Sequence, residues 1–321
     1  MFFRNMWCRI LLFVAVVSLG HADEKYDLLQ GEPTTIEKYP FAVQIIRYRF
    51  GGIYSVTCGG SLVTTLFVLS AARCFVYSST TRTTNITTTA SPKIMCILRN
   101  GLHIDPEEFR IRVGSTRIQD SGGIRYEVSE IIIHENYRSI DNDIALVRTK
   151  NPVSLGPNIA IIKIPQEEVM VPDNATVTVI RWGSAGNKYK QGALHEVPIK
   201  KVNWQRCKNI YSDSTNITIT DNMICCGGLG YNMEPAFCTP DIGNPLLYGD
   251  NLVGLAIWFG SCRNNDIPRL FTRISKYTSW IDNTIKRSIE RSDPHPGASS
   301  MNKIGVTLLI PVLYSVFRRF A

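Results

Sequence analysis

The chain has 321 residues, 44% hydrophobic and 19% charged, with 23 glycines and 16 prolines. This balance is globular and excludes a disordered, collagenous or coiled-coil chain. The formal net charge of +8 carries no nucleic-acid signal: without the end-segment residues Arg4, Arg9, Lys303, Arg318 and Arg319, 30 basic face 27 acidic residues.

Residues 1–22 read as a secretory signal. Arg4 and Arg9 form its positive flank, and Ile10 to Gly20 is an apolar run too short to span a bilayer. Gly20-His21-Ala22 permits cleavage after Ala22, leaving 23–27 as a short pro-segment. Secretion permits disulfides. Cys8 departs with the signal, so an even number of the nine cysteines remains.

From Leu28 onward, short β-type runs alternate with turns. Phe41–Ile46 is the first, and Ser61–Val63 with Phe67–Ser70 predicts a hairpin. Phe75 to Pro106 interrupts the pattern with a Ser/Thr-rich core at Ser78–Ser91, which predicts a solvated insertion over about 76–106. Arg110–Val113, Ile144–Val147, Val177–Ile180 and Leu252–Trp258 continue the series. So many short strands predict an all-β barrel or sandwich. Ile274, Tyr277, Trp280, Ile281 and Ile285 recur at helical spacing and predict one closing helix. Sequons at Asn85, Asn174 and Asn216 predict glycosylated surface loops. Neither a phosphate-binding glycine loop nor a zinc-spaced Cys/His cluster occurs, so no cofactor and no metal is expected.

Residues 288–321 read as a polar linker and a hydrophobic tail. Ile304–Phe317 is short for a membrane span and contains Pro311. It fits the tail of a glycolipid-anchor signal attached at Gly297, Ala298 or Ser299. The short spacer and the Arg318-Arg319-Phe320-Ala321 end count against that reading. A short or tilted span and an untethered tail stay open beside it.

Several motifs in chain order then carry a resemblance. They are Tyr39-Pro40-Phe41-Ala42-Val43, Cys58-Gly59-Gly60-Ser61-Leu62, Leu69 to Cys74, His134-Glu135-Asn136-Tyr137, Asn142-Asp143-Ile144-Ala145-Leu146, Trp182-Gly183, Asp221 to Cys225, Cys238 to Pro245, and Phe271-Thr272-Arg273. On these the chain resembles the trypsin-like serine proteases over residues 28–287. The resemblance implies two packed six-stranded antiparallel β-barrels, a C-terminal helix and a cleft between the barrels.

The implied chemistry needs a serine nucleophile, a histidine base and an aspartate that orients it. Asp143 stands at the aspartate position, but Arg73 stands where the histidine belongs and Ile242 where the serine belongs. A guanidinium has no lone pair to accept a proton, and a sec-butyl group has none to attack a carbonyl. Pro240 takes the place of a glycine whose backbone N–H is one of two oxyanion donors, a loss of about 10²–10³ in rate. Asp143 and Arg73 are expected to pair, because a carboxylate fits the guanidinium fork. His103 and His195 are the alternative bases, though neither has an evident nucleophile.

The resemblance extends to the pocket, the activation pair and the disulfides. Ala236 stands at the pocket base, and Phe259 and Arg269 replace wall glycines, which implies a filled pocket. Asp241 holds the position that pairs with a freed amine in the family. Leu28 is where the new terminus should begin, but Asp27 precedes it, so a trypsin-like enzyme would not cut there. The implied bridges are Cys58–Cys74, Cys207–Cys225 and Cys238–Cys262, with Cys96 and Cys226 unassigned. The expected function is a secreted or surface-tethered protease homologue that binds extracellular proteins such as proteases, cascade components or surface ligands. The alternative is an active endopeptidase with other machinery.

Overall fold

A computed structural model describes residues 31–48, 54–76, 96–97, 103–118, 122–165, 169–182, 192–215, 217–227, 241–258 and 267–292. The signal, the pro-segment with Leu28, Asn85, Asn216, Ala236, Cys238, Pro240, Phe259, Cys262 and the tail lie outside these residues.

The first barrel is closed by β2 (Ala42–Tyr48), β3 (Tyr54–Leu62), β4 (Phe67–Ser70), β9 (Ala145–Thr149), β8 (Ile124–Ile133) and β7 (Phe109–Val113), in that order around the ring. These strands are rich in β-branched residues, which pack well on a pleated surface. Val43, Ile45, Leu62, Val68, Ile111, Val113, Ile131 and Val147 fill the interior and are fully buried or nearly so. The predicted hairpin forms with Ser61 opposite Leu69 and Leu62 opposite Val68.

The other sheet runs β1 (Glu32–Pro33), β11 (Leu194–Lys200), β10 (Thr176–Trp182), β13 (Pro245–Tyr248), β14 (Asn251–Trp258), β15 (Arg269–Arg273), β12 (Met223–Cys226). Its two ends meet. Val202 N donates to Cys225 O at 2.8 Å, and Gly227 N donates to Lys200 O at 2.7 Å. These bonds close six strands into a second ring, with β1 as an extra strand on β11. Val177, Val179, Val197, Ile199, Ile224, Leu246, Val253 and Phe271 form its core.

Sequence periodicity did not reveal α1 (Trp204–Ser214). Only Cys207 and Tyr211 in it are buried, one turn apart, so its apolar stripe is narrow. Its start is set by Asn203, whose Oδ1 accepts from Arg206 N at 3.0 Å. The Cys207–Cys225 bridge pins the helix to β12. The closing helix, α2 (Thr278–Ser292), follows a short 3-10 turn at Ile274–Lys276 and buries Ile281, Thr284 and Ser288 on one face. The expected insertion is not wholly loop. β5 (Cys96–Ile97) pairs with β6 (His103–Ile104), and Ile104 is buried.

Candidate active-site cleft

Three segments converge where the barrels meet. The first is the 3-10 turn Ala72–Cys74 after β4, held to β3 by the Cys58–Cys74 bridge. A 16-residue separation makes this bridge worth about 3 kcal/mol by chain entropy. The second is the turn before β9, where Ser139 and Asn142 adopt positive φ values of 56° and 52°. The third is the loop Asp241–Asn244.

Arg73 and Asp143 come together as expected. Arg73 N donates to Asp143 Oδ1 at 2.9 Å, Arg73 Nε donates to Asp143 Oδ2, and Arg73 Nη2 donates to Ser139 O at 2.8 Å. The Asp143 side chain is 0% exposed and that of Arg73 is 16% exposed. Burial pushes the Asp143 carboxyl up from its ordinary range, against the pull of the Arg73 guanidinium and the N–H groups of Arg73 and Ala72. Thr272 Oγ1 donates to Asp143 O at 2.7 Å, tying this turn to β15 in the second barrel. Burial and the nearby Asp143 push the Tyr137 hydroxyl up to about 12.

Ile242 lies beside this group. Its carbonyl accepts from Gly59 N at 2.8 Å and sits 4.0 Å from Cys74 Sγ. Its half-buried side chain packs against the cores of both barrels. Backbone contact this close explains the glycines. A Cβ on Gly59 would come within 1.7 Å of Asn244 Oδ1. Gly243 has φ +80°, and a Cβ there would come within 2.4 Å of both Gly59 O and Ser70 Oγ.

Asp241 is fully buried and accepts from Arg181 Nε at 2.8 Å. Arg269 is 1% exposed on β15, opposite the buried Cys226 at the end of β12. Its Nη1 donates to Ile267 O at 3.3 Å, and the neighbouring Pro268 O accepts from Tyr211 OH at 2.6 Å. This wall position thus holds a long side chain inside the protein.

The other histidines sit elsewhere. His195 is 3% exposed on β11, with Nδ1 2.9 Å from Ala193 O, and lies opposite Arg181 in the β10–β11 ladder. His103 lies on β6, paired with Ile97. His134, in the His134-Glu135-Asn136-Tyr137 motif, has its ring edge-on to Tyr277 at 5.3 Å, and its Nδ1 accepts from Asn136 N at 3.2 Å. Burial lowers its pKa. Sequence reasoning missed Arg181. Its signal was a single cation within the apolar run Val177–Trp182. Asn174 is exposed, with φ 63°, in the turn before β10.

This arrangement offers hydrogen-bond donors and an apolar surface. The Arg73 guanidinium can stabilise an anion but cannot take up a proton, and Ile242 offers only an apolar surface. Among the described residues, no group of three or more His, Cys, Asp or Glu is placed to hold a metal.

Comparison with known proteins places this geometry. The trypsin family profile matches residues 96–281. Trypsin, alkaline C of Manduca sexta is 30% identical over 283 residues, covering 85% of this chain and 98% of its own length. A trypsin of Phaedon cochleariae is 29% identical, covering 85% and 97%. Phenoloxidase-activating factor 3 of Holotrichia diomphalia is 27% identical, covering 82% of this chain and 74% of that one. The crystal structure of the scabies mite inactivated protease paralogue S-D1 shares the fold, with a TM-score of 0.62 and 24% identity over 81% of this chain and 97% of that one. With this profile match and a relative at 30% identity over most of its length, the chain belongs to the trypsin family of serine proteases.

Proposed function

We propose that this protein is a non-catalytic serine protease homologue that acts outside the cell by binding other proteins. One observation carries the reading. The residue joined to the buried Asp143 is Arg73, and Ile242, whose carbonyl lies 4.0 Å from Cys74 Sγ, stands in the adjoining loop, a base position without a base and a nucleophile position without a nucleophile. Pro240 in place of a glycine that supplies an oxyanion donor, and Phe259 and Arg269 in place of wall glycines, support the same conclusion. A scaffold with two disulfides among its described residues, and with its cleft chemistry replaced, suits an adaptor or decoy in a proteolytic cascade. Disulfides and the N-terminal signal support secretion. The tail is proposed as a membrane tether, by glycolipid or by a short span.

The rival reading, an active endopeptidase with other machinery, draws on the many relatives named as trypsins. The two separate on turnover of a peptide library by the purified secreted protein. No cleavage above that of an unrelated protein made in the same way supports the binding reading. Cleavage abolished by mutation of His103, His195 or Asp143 ends it. Release by a phosphatidylinositol-specific phospholipase supports the glycolipid tether, and release only by detergent supports a span.

A further inference from the structure

Arg181 and Asp241 form the most deeply buried ion pair among the described residues, with side chains 2% and 0% exposed. Arginine cannot shed its charge at any physiological pH, so when buried it must be met by hydrogen-bond acceptors, and here it is met by a carboxylate. The position of the pair gives it a task. Arg181 is on β10, whose Thr178 and Val179 face Leu247 and Leu246 of β13. The loop 241–244 leads directly into β13, so the pair ties the start of this loop back to β10. The loop in turn wedges between the barrels. Gly243 N donates to Ala256 O at 2.7 Å, Asn244 N donates to Asp241 O at 3.2 Å, and Gly59 N donates to Ile242 O.

We infer that Arg181 is a built-in counter-ion that sets the 241–244 loop and the cleft in the uncut chain, so that this domain reaches its working conformation with no freed N-terminal amine. In the uncut chain Leu28 is joined through a peptide bond and carries no charge to offer Asp241, whereas Arg181 carries its charge from synthesis onward. The inference holds whether or not the cleft turns over peptide. It predicts a protein competent as soon as it is folded, under no proteolytic switch.

The test compares the chain with an intact Asp27–Leu28 bond, verified by mass, with a chain made to begin at Leu28. Amide hydrogen exchange is read at Gly243 and Asn244, with β2 amides as reference. Equal protection of the loop in both forms is expected. Arg181→Met raises exchange at Gly243 and Asn244 by roughly tenfold or more while β2 keeps its rates, and Arg181→Lys restores part of the protection. Loop protection that appears only when the chain begins at Leu28 overturns the inference. So does an Arg181→Met protein whose loop exchanges as slowly as the parent. If Arg181→Met does not fold, the two chain starts decide the matter alone.

Discussion

Replacing Arg73 by methionine keeps the length and apolar stem of the side chain but removes its charge. The Asp143 carboxylate then stays fully buried, holding the backbone N–H donors of residues 73 and 72 but losing the guanidinium. Breaking a buried pair by removing one partner costs about 3–5 kcal/mol. The Arg73 side chain is 16% exposed, so part of the pair already faces water and the lower end applies. A loss of about 3 kcal/mol lowers the thermal midpoint by roughly 6–12 °C for a domain of this size. The pH dependence has a definite sign. Without the guanidinium, the folded Asp143 pKa moves further above its unfolded value. Stability from protonating it is present below the unfolded pKa and is lost as pH rises through the folded one. The Arg73→Met penalty is therefore full at neutral pH and shrinks on acidification. Adding Asp143→Asn removes the buried charge, so the double variant is more stable at neutral pH than Arg73→Met alone. Urea unfolding of the parent, Arg73→Met and the double variant at several pH values measures all of this. An Arg73→Met cost below about 1 kcal/mol, or one that does not change with pH, would refute the claim that this pair organises the cleft.

Three further outcomes follow from the geometry. Burial lowers the His134 pKa from 6.5, so the unfolded chain binds the proton more readily between the folded value and 6.5. That contribution to stability is full above pH 6.5 and falls as pH drops through this window, and His134→Gln flattens that part of the urea-midpoint profile. Gly243→Ala forces a side chain onto a φ of +80° and into 2.4 Å contacts with Gly59 O and Ser70 Oγ. A loss of roughly 2–4 kcal/mol is expected by denaturant unfolding, with the expressed protein still secreted at reduced yield. Asn174 is exposed in a turn and followed by Ala175-Thr176, so peptide-N-glycosidase shifts the mass of the secreted protein, and Asn174→Gln removes one unit of that shift.

How much could be read in advance depended on whether a feature was local. Alternating and β-branched runs marked β2, β4, β7, β9, β10 and β14, because strand patterning needs only near neighbours. Asp143 and Arg73 could be paired from motif position and from the fit of carboxylate to guanidinium. The α1 helix escaped because two buried residues give little periodic signal and its anchor is a disulfide to β12. The Arg181–Asp241 pair spans 60 positions, and nothing local to Val177–Trp182 says which acid will meet its cation. The edge-on packing of His134 on Tyr277 likewise depends on where two distant turns arrive.

The most direct measurement of the central claim is covalent labelling of the purified secreted protein by a fluorophosphonate, which reacts with an activated serine hydroxyl. No labelling of this chain is predicted, native or heat-denatured, while a trypsin treated in parallel is fully labelled. Stoichiometric labelling of the native chain that mapped to one of its own residues and vanished on heating would show a working nucleophile, and would contradict the reading of Arg73 and Ile242 as replacements that ended catalysis.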